Sequence, residues 1–143
     1  MKIKNPLFAR LLDKLLAHSV SEISIADAFN RKEEFIFLDA REFEEFYVSH
    51  VQKAIHVGYK SFDTERLNKI DRSQPLIVYC SIGYRSEKIA AKLSNLGFKN
   101  VQNLYGGIFE WYNQEFDVVN SSGITSEIHP YNAAWGVWIS GKE

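Results

Sequence analysis

The residue best suited to chemistry in this sequence is Cys80, the only cysteine of the chain. It directly follows Leu76 to Tyr79, a short apolar run typical of a buried strand. A loop that contains Gly83 comes next, and a helical pattern is established from Ser86. A cysteine between a strand and a helix N-terminus lies close to backbone N–H groups and to the positive end of the helix dipole. Both favour the thiolate, which is the nucleophilic form, so the pattern predicts an activated thiol.

Strands and helices alternate along the chain, and this order predicts how Cys80 is positioned. The apolar patterns predict strands around 20–25, at 34–39, 54–57, 76–79 and 101–104, and helices at 6–17, 26–30, 42–49, 62–70, 84–95 and 108–114. Such alternation indicates an α/β fold with a mostly parallel sheet flanked by helices. In these sheets ligands bind beyond the carboxyl ends of the strands, where Asp39 and Cys80 both lie.

Composition narrows the possible classes of protein. With 143 residues, 45% of them hydrophobic, the chain suits one folded core. A formal net charge of −1 argues against nucleic acid or an acidic membrane as partner. One cysteine excludes an internal disulfide framework and a multi-cysteine metal site. The N-terminal stretch has no clean apolar run or cleavage site, and no run spans a membrane, which predicts a cytoplasmic protein.

Three segments are predicted: an N-terminal amphipathic helix (1–18), a central domain (19–115) and a C-terminal extension (116–143). The N-terminal helix is expected to pack on the outside of the domain. The extension carries Tyr131, Trp135 and Trp138, and so many aromatic side chains favour a strap packed over the domain. A dimer contact or a lid near the active site are the alternatives, and the chain is expected to be a monomer or a homodimer.

Three motifs in the same order resemble those of single-domain rhodaneses, which are sulfurtransferases. The first is Cys80-x-x-Gly83-x-Arg85-Ser86, similar to the family's active-site loop. The others are Asp39-x-Arg41-x-x-x-Glu45-Phe46-x-x-Ser49-His50-Val51-x-x-Ala54, with Ser49 and Lys53 where glycine is usual, and Tyr105-Gly106-Gly107-Ile108-x-x-Trp111. They cover about residues 20–114, and the resemblance implies a rhodanese-like three-layer fold.

The length of the cysteine loop separates two chemistries. Phosphatases with a similar fold place five residues between cysteine and arginine, whereas four separate Cys80 from Arg85. The shorter loop resembles that of rhodaneses and suits a terminal sulfur better than a phosphoryl group. The sequence therefore favours sulfur transfer over phosphatase or arsenate chemistry.

The resemblance implies a sulfur relay through a persulfide on Cys80, for which we expect no metal and no organic cofactor. The thiolate takes the outer sulfur from a small donor such as thiosulfate or a persulfide, and a thiol or protein acceptor then removes it. The alternative is a non-catalytic rhodanese module that binds or regulates a sulfur-carrying partner.

The loop residues are expected to surround the sulfur with backbone N–H groups; they are Ser81, Ile82, Gly83, Tyr84, Arg85 and Ser86. Ile82 and Tyr84 are expected to point outward as an apolar rim that favours a thiol or protein acceptor. Ser86 is expected to cap or begin the next helix, and its hydroxyl to bond the sulfur. Arg85 either locks the loop through a carboxylate, Asp39 or Glu45, or attracts an anionic donor.

Residues of the second motif have supporting roles by the same resemblance. Asp39 is expected to bond backbone N–H groups and to shape the site. Arg41 is interpreted either as a contributor to donor binding or as half of a surface ion pair. His50 is expected to order the local backbone rather than to transfer a proton, and His56 stands where asparagine is common.

Overall fold

The computed structural model describes residues 1–139. The helices are α1 (Pro6–Leu15), α2 (Ile25–Asn30), α3 (Phe43–Val48), α4 (Tyr84–Asn95), α5 (Gly107–Asn113) and α6 (Ala133–Gly136). The strands are β1 (Glu22–Ile23), β2 (Ile36–Asp39), β3 (Ile55–His56), β4 (Leu76–Tyr79), β5 (Val101–Leu104), β6 (Val118–Asn120) and β7 (Gly123–Thr125). None of the helices within this range is both long and apolar enough to cross a bilayer.

The main sheet has five strands in the order β1-β5-β4-β2-β3, and every pairing is parallel. Leu38 of β2 lies opposite Val78 of β4, and Asp39 lies opposite Tyr79. The chains leave these two central strands at the same edge of the sheet. Asp39 and Cys80 therefore meet at the carboxyl edge, as the strand pattern predicts.

Two apolar clusters, one on each face of the sheet, make the fold a three-layer sandwich. Ile77 and Tyr79 point into a cluster that includes residues of α1, α2 and α5. Leu76 and Val78 point the other way, into a cluster with the buried side of α4. Because each face is covered, apolar residues follow one another in β4 and over Ile36 to Leu38 of β2, which explains their contiguous pattern. The predicted fold is confirmed.

Helix α1 is part of the first cluster. Asn5 caps it by accepting a hydrogen bond from Leu7 N at 2.9 Å, and Pro6 occupies its first turn. The helical spacing of Leu7, Leu11 and Leu12 predicts that they share the apolar face, but Leu7 is exposed, whereas Phe8 and Leu12 are fully buried. The buried stripe is therefore rotated toward Phe8, and the helix ends at Leu15 rather than at 17.

The prediction of a helix over residues 62–70 is wrong. Only a 3-10 turn forms, at Thr64–Leu67, where Asn68 N bonds Glu65 O at 3.2 Å. Leu67 is the only buried residue of this turn. One apolar anchor does not stabilise a longer helix in water.

The C-terminal segment packs across the same face as α1. Trp138 stacks on Phe8 with ring centroids 5.4 Å apart, and its carbonyl accepts a hydrogen bond from Asn113 Nδ2 at 2.7 Å. Strands β6 and β7 form an antiparallel hairpin earlier in the segment. Residues 140–143, the end of the predicted extension, lie outside the described residues.

Glu87 ties α4 to the segment after α1. Its carboxylate accepts hydrogen bonds from Ala17 N at 3.0 Å, Ser19 N at 2.6 Å and Ser19 Oγ at 2.7 Å. Burial opposes its charge, but the hydrogen bonds from Ser19 and Ala17 outweigh burial and lower the pKa of Glu87.

We expect Glu87→Gln to lower the free energy of unfolding at pH 7 by about 1–2 kcal/mol, because the amide is a weaker acceptor than the carboxylate. A carboxylate with a lowered pKa stabilises the fold above its unfolded pKa, and this stability is lost as pH falls through the folded pKa. The variant should therefore lose less stability than wild type on acidification. Urea unfolding at a series of pH values measures this, with exposed Glu33→Gln as control. Parallel pH profiles would contradict the assignment.

Candidate active site

Cys80 lies in the turn between β4 and α4 with its sulfur held by backbone N–H groups. Gly83 N is 3.2 Å and Ser86 N is 3.4 Å from Cys80 Sγ. Gly83 has φ 117°, a left-handed conformation that glycine adopts at little cost and that turns its N–H toward the sulfur. Two converging donors of this kind favour negative charge on Cys80 Sγ.

Ser86 and Asn103 form a second layer behind the sulfur. Ser86 lies in the first turn of α4, as expected, and its Oγ is 3.4 Å from Cys80 Sγ but only 2.6 Å from Asn103 Oδ1. A hydroxyl has one proton, so here it donates to Asn103 and is free to accept from the cysteine thiol. Asn103 Nδ2 in turn donates to Gly83 O at 3.0 Å. Asn103 thus holds in place both Gly83 and Ser86, the two residues whose N–H groups contact the sulfur.

Arg85 and Glu45 form a bidentate ion pair that closes the loop. Arg85 Nη1 is 2.7 Å from Glu45 Oε2, and Nη2 is 2.9 Å from Oε1. Nη2 also donates to Ser81 Oγ at 2.9 Å. Of the two carboxylates considered as partners, Glu45 makes the contact, whereas Asp39 pairs elsewhere.

Both charges of this pair are stabilised by their partner. Burial raises the pKa of Glu45, but the hydrogen bonds and charge of Arg85 outweigh burial and hold it below the ordinary value. Burial likewise opposes the charge of Arg85. The hydrogen bonds to Glu45 and the electrostatic attraction of the nearby Cys80 sulfur nevertheless raise the pKa of Arg85. The loop therefore contains an ion pair that stays charged at neutral pH.

Arg41 is placed differently from either expectation. Its side chain is fully buried rather than at the surface or open to a donor. Arg41 Nη2 bonds Asp39 Oδ2 at 2.7 Å and Ser49 O at 2.6 Å, and the Arg41 N–H bonds Asp39 Oδ1 at 3.0 Å. A carboxylate two residues away in the chain draws the guanidinium inward, which corrects the prediction of donor binding. Asp39 bonds a backbone N–H group in the way that was predicted for it.

The two histidines of this region bond backbone carbonyls. His50 Nδ1 is 2.9 Å from Phe46 O, and its ring stacks on Phe46 with centroids 3.8 Å apart. His56 Nε2 is 2.7 Å from Arg41 O. Both rings order the chain locally. Within residues 1–139, no group of three or more His, Cys, Asp and Glu side chains is arranged to hold a metal ion.

The predicted apolar rim is wrong for Ile82. Its side chain is buried in the same cluster as Phe8 and Leu12, while Tyr84 is exposed. The loop backbone faces the sulfur, but the α1 side of the core offers Ile82 an apolar environment beneath the loop. Only Tyr84 contributes to the surface, where Lys88 Nζ lies 3.2 Å from its hydroxyl.

Helix α5 supports the loop from below. Ile108 N donates to Cys80 O at 2.9 Å, and Phe109 N donates to Ser81 O at 3.0 Å. Gly107 has φ 63°, and a Cβ there would lie 2.7 Å from Cys80 O and closer still to Ser81 O. Close backbone approach at this point requires glycine.

We expect Gly107→Ala to lower the free energy of unfolding by about 3 kcal/mol, because both a strained φ and a backbone clash are introduced. Gly97→Ala is the matched control, since Gly97 also has a positive φ (98°) but its nearest contact is Arg72 Cδ at 3.9 Å. The control should lose only about 1 kcal/mol. Denaturant unfolding compares them, and equal losses would contradict a clash at the loop.

Two residues that contact the loop, Asn103 and Tyr131, were not among the site residues predicted from the sequence. Asn103 is fully buried in β5, and a polar residue inside an otherwise buried strand is the signal that could have revealed it. The ring of Tyr131, from the C-terminal segment, covers Arg85 with Cζ 4.5 Å from the ring centroid. No sequence pattern relates Tyr131 to the loop, because only the tertiary path of the segment brings it there.

The chain is similar to known proteins in sequence and in fold. The family model for the rhodanese-like domain matches residues 24–114. The putative sulfur carrier protein YrkF of Bacillus subtilis is 32% identical, over 66% of this chain and 52% of that protein. The thiosulfate sulfurtransferase GlpE of Coxiella burnetii is 31% identical, over 57% of this chain and 75% of that protein. The chain thus spans about half the length of the Bacillus relative.

A solved structure shows the same fold over nearly the whole chain. The BH2092 protein of Bacillus halodurans superposes with a TM-score of 0.71 and 24% identity, covering 93% of this chain and 98% of that one. At this identity the likeness concerns the fold.

Proposed function

Because the chain belongs to the rhodanese-like family, we propose that it is a sulfurtransferase that carries a sulfane sulfur as a Cys80 persulfide. The observation that carries the proposal is the cradle around Cys80 Sγ, in which the N–H groups of Gly83 and Ser86 lie at 3.2 and 3.4 Å. Donors so placed stabilise Cys80 as the attacking thiolate in the first step and as the leaving thiolate in the second.

The proposed reaction has two steps at one sulfur. With thiosulfate, the Cys80 thiolate attacks the outer sulfur, a bond forms between the two sulfurs, and the bond to the sulfite sulfur breaks as sulfite leaves with its electron pair. A thiol or cyanide acceptor then attacks the terminal sulfur as a nucleophile, and Cys80 leaves as the thiolate. Splitting the transfer in this way lowers each barrier.

The loop contributes positioning and charge stabilisation to both steps. Arg85 and Glu45 keep it closed, while Asn103 holds Ser86 and the Gly83 carbonyl in place. Ser86 Oγ is close enough to turn toward the sulfur once the thiol has lost its proton. These roles need no proton transfer from His50 or His56.

Intact mass spectrometry tests the proposal. The purified chain is incubated with thiosulfate or an organic persulfide, and a gain of one sulfur atom on Cys80 is expected. Cyanide should then remove it with release of thiocyanate. A chain that gains no sulfur from either donor is not a sulfurtransferase, and a binding module would be the better description.

A further inference from the structure

The C-terminal segment completes the active-site loop from outside the family domain. Tyr131 lies beyond the matched residues 24–114, yet its ring covers the guanidinium of Arg85 at 4.5 Å from Cζ to the centroid. This is the geometry of a cation–π contact. A side chain from outside the matched residues therefore contacts the loop directly.

The segment holds Tyr131 at this point from both sides. On one side, Ser126 O accepts a hydrogen bond from Tyr112 Oη at 2.7 Å. On the other, Trp138 stacks on Phe8. Tyr131 itself has φ 67°, a left-handed conformation that is uncommon for tyrosine and persists only where the surroundings impose it. The position of the ring over Arg85 is therefore specified by its anchored flanks.

Neither arginine of the site has a free guanidinium with which an incoming anion could pair. Glu45 occupies the edge of the Arg85 guanidinium, Tyr131 covers one face, and Arg85 is only 7% exposed. Arg41 is matched by Asp39 and is fully buried. Both arginines of the site are thus neutralised by carboxylates. A doubly charged donor that approaches Cys80 would find the backbone N–H groups of Gly83 and Ser86, but no guanidinium exposed for it to pair with.

We propose that Tyr131 determines donor specificity at Cys80 by covering Arg85, so that dianionic thiosulfate is disfavoured relative to organic persulfides. The inference rests on the proposed sulfur transfer. Tyr131 acts through Arg85 and is a positioning residue. Glu45 and Ser81 leave some guanidinium N–H groups unused, so removal of the ring would open Arg85 to an anion.

The test compares two donors in wild type and Tyr131→Gly. Glycine adopts φ 67° without strain, so the variant removes the ring and leaves the backbone unstrained. Second-order rates of sulfur loading on Cys80 are measured by timed intact mass with thiosulfate and with cysteine persulfide, at low and high KCl. We expect about a fivefold gain with thiosulfate that disappears at high salt, and less than about a twofold change with the persulfide.

Two further variants serve as controls. Tyr131→Phe keeps the ring and should behave as wild type. Tyr47→Ala removes another exposed tyrosine, one whose ring contacts Phe43 in α3, and should leave the ratio of the two rates unchanged. If circular dichroism shows that Tyr131→Gly is unfolded, Tyr131→Asn replaces it, because asparagine also tolerates this φ.

Equal changes with both donors, or a slower reaction with thiosulfate, would overturn the inference. So would a lower melting temperature with an unchanged donor ratio, because that is the signature of packing alone. Each of these results leaves sulfur transfer itself intact. Absence of loading of wild type by both donors would instead overturn the proposed function, and the inference with it.

Discussion

Cys80→Ser is expected to lower sulfur transfer by at least about 1,000-fold, because a serine hydroxyl is a far weaker nucleophile and cannot carry a persulfide. Cys80 is almost fully buried, and serine is close to it in size, so the fold should persist. The N–H groups of Gly83 and Ser86 would then point at Oγ in place of Sγ. The loss should therefore be chemical rather than structural.

Two measurements check this expectation. Intact mass after incubation with thiosulfate or a persulfide should show one added sulfur on wild type and none on Cys80→Ser. Thiocyanate release with cyanide should fall in parallel, while circular dichroism stays unchanged. Because Cys80 is the only cysteine, any sulfur retained by the variant would lie on another kind of residue. Retained loading, or transfer within about tenfold of wild type, would refute the role of Cys80.

The presence of a single cysteine also bears on how the proposed Cys80 persulfide would be discharged. No second thiol of this chain can attack the persulfide and leave a disulfide within it. In the proposed reaction the sulfur would therefore pass to an acceptor other than a cysteine of this sequence, whether a small nucleophile or a protein thiol. Exposed Tyr84 and Tyr131 stand beside the loop on the surface that such an acceptor would approach.

The sequence predicts those parts of the site that depend on strand order. The contiguous apolar residues Ile36 to Leu38 and Leu76 to Tyr79 indicate central strands, and parallel central strands bring Asp39 and Cys80 to one edge. The loop between β4 and α4 follows from the glycine and the helix that succeed the cysteine. These features are local in the chain, so the pattern of residue types is sufficient for them.

The features that were missed depend on contacts between distant segments. Ile82 is buried because α1 covers the far side of the loop, and nothing near Ile82 in the sequence indicates that. Arg41 is the exception, because its partners are near in the chain: Asp39 and the Ser49 carbonyl, two and eight residues away, together receive its guanidinium. Tyr131 reaches Arg85 only through the path of the C-terminal segment. A lone sequence carries little information about such tertiary partners.

The same buried pair of Asp39 and Arg41 should dominate the stability of this edge of the sheet. Both side chains are fully buried, and they share several hydrogen bonds of 2.7 to 3.2 Å. Burial opposes the charge of Arg41, but Asp39 outweighs it and raises the pKa of the guanidinium. We expect Asp39→Ala to lower the free energy of unfolding by about 3–5 kcal/mol, because it leaves a buried arginine without a counter-charge.

An exposed pair and a double variant separate this effect from ordinary loss of a salt bridge. Arg31 and Glu34 form a half-exposed pair at 3.1 Å, so Glu34→Ala should cost less than about 1 kcal/mol. Arg41 Nη1 has no hydrogen-bond partner among the described residues, so the native pair already bears a desolvation cost. Asp39→Ala with Arg41→Met should therefore recover most of the stability that Asp39→Ala loses. Urea unfolding midpoints compare the stability of Asp39→Ala, Glu34→Ala and the double variant. If the double variant is no more stable than Asp39→Ala, then Asp39 stabilises the fold through its own hydrogen bonds rather than by neutralising Arg41.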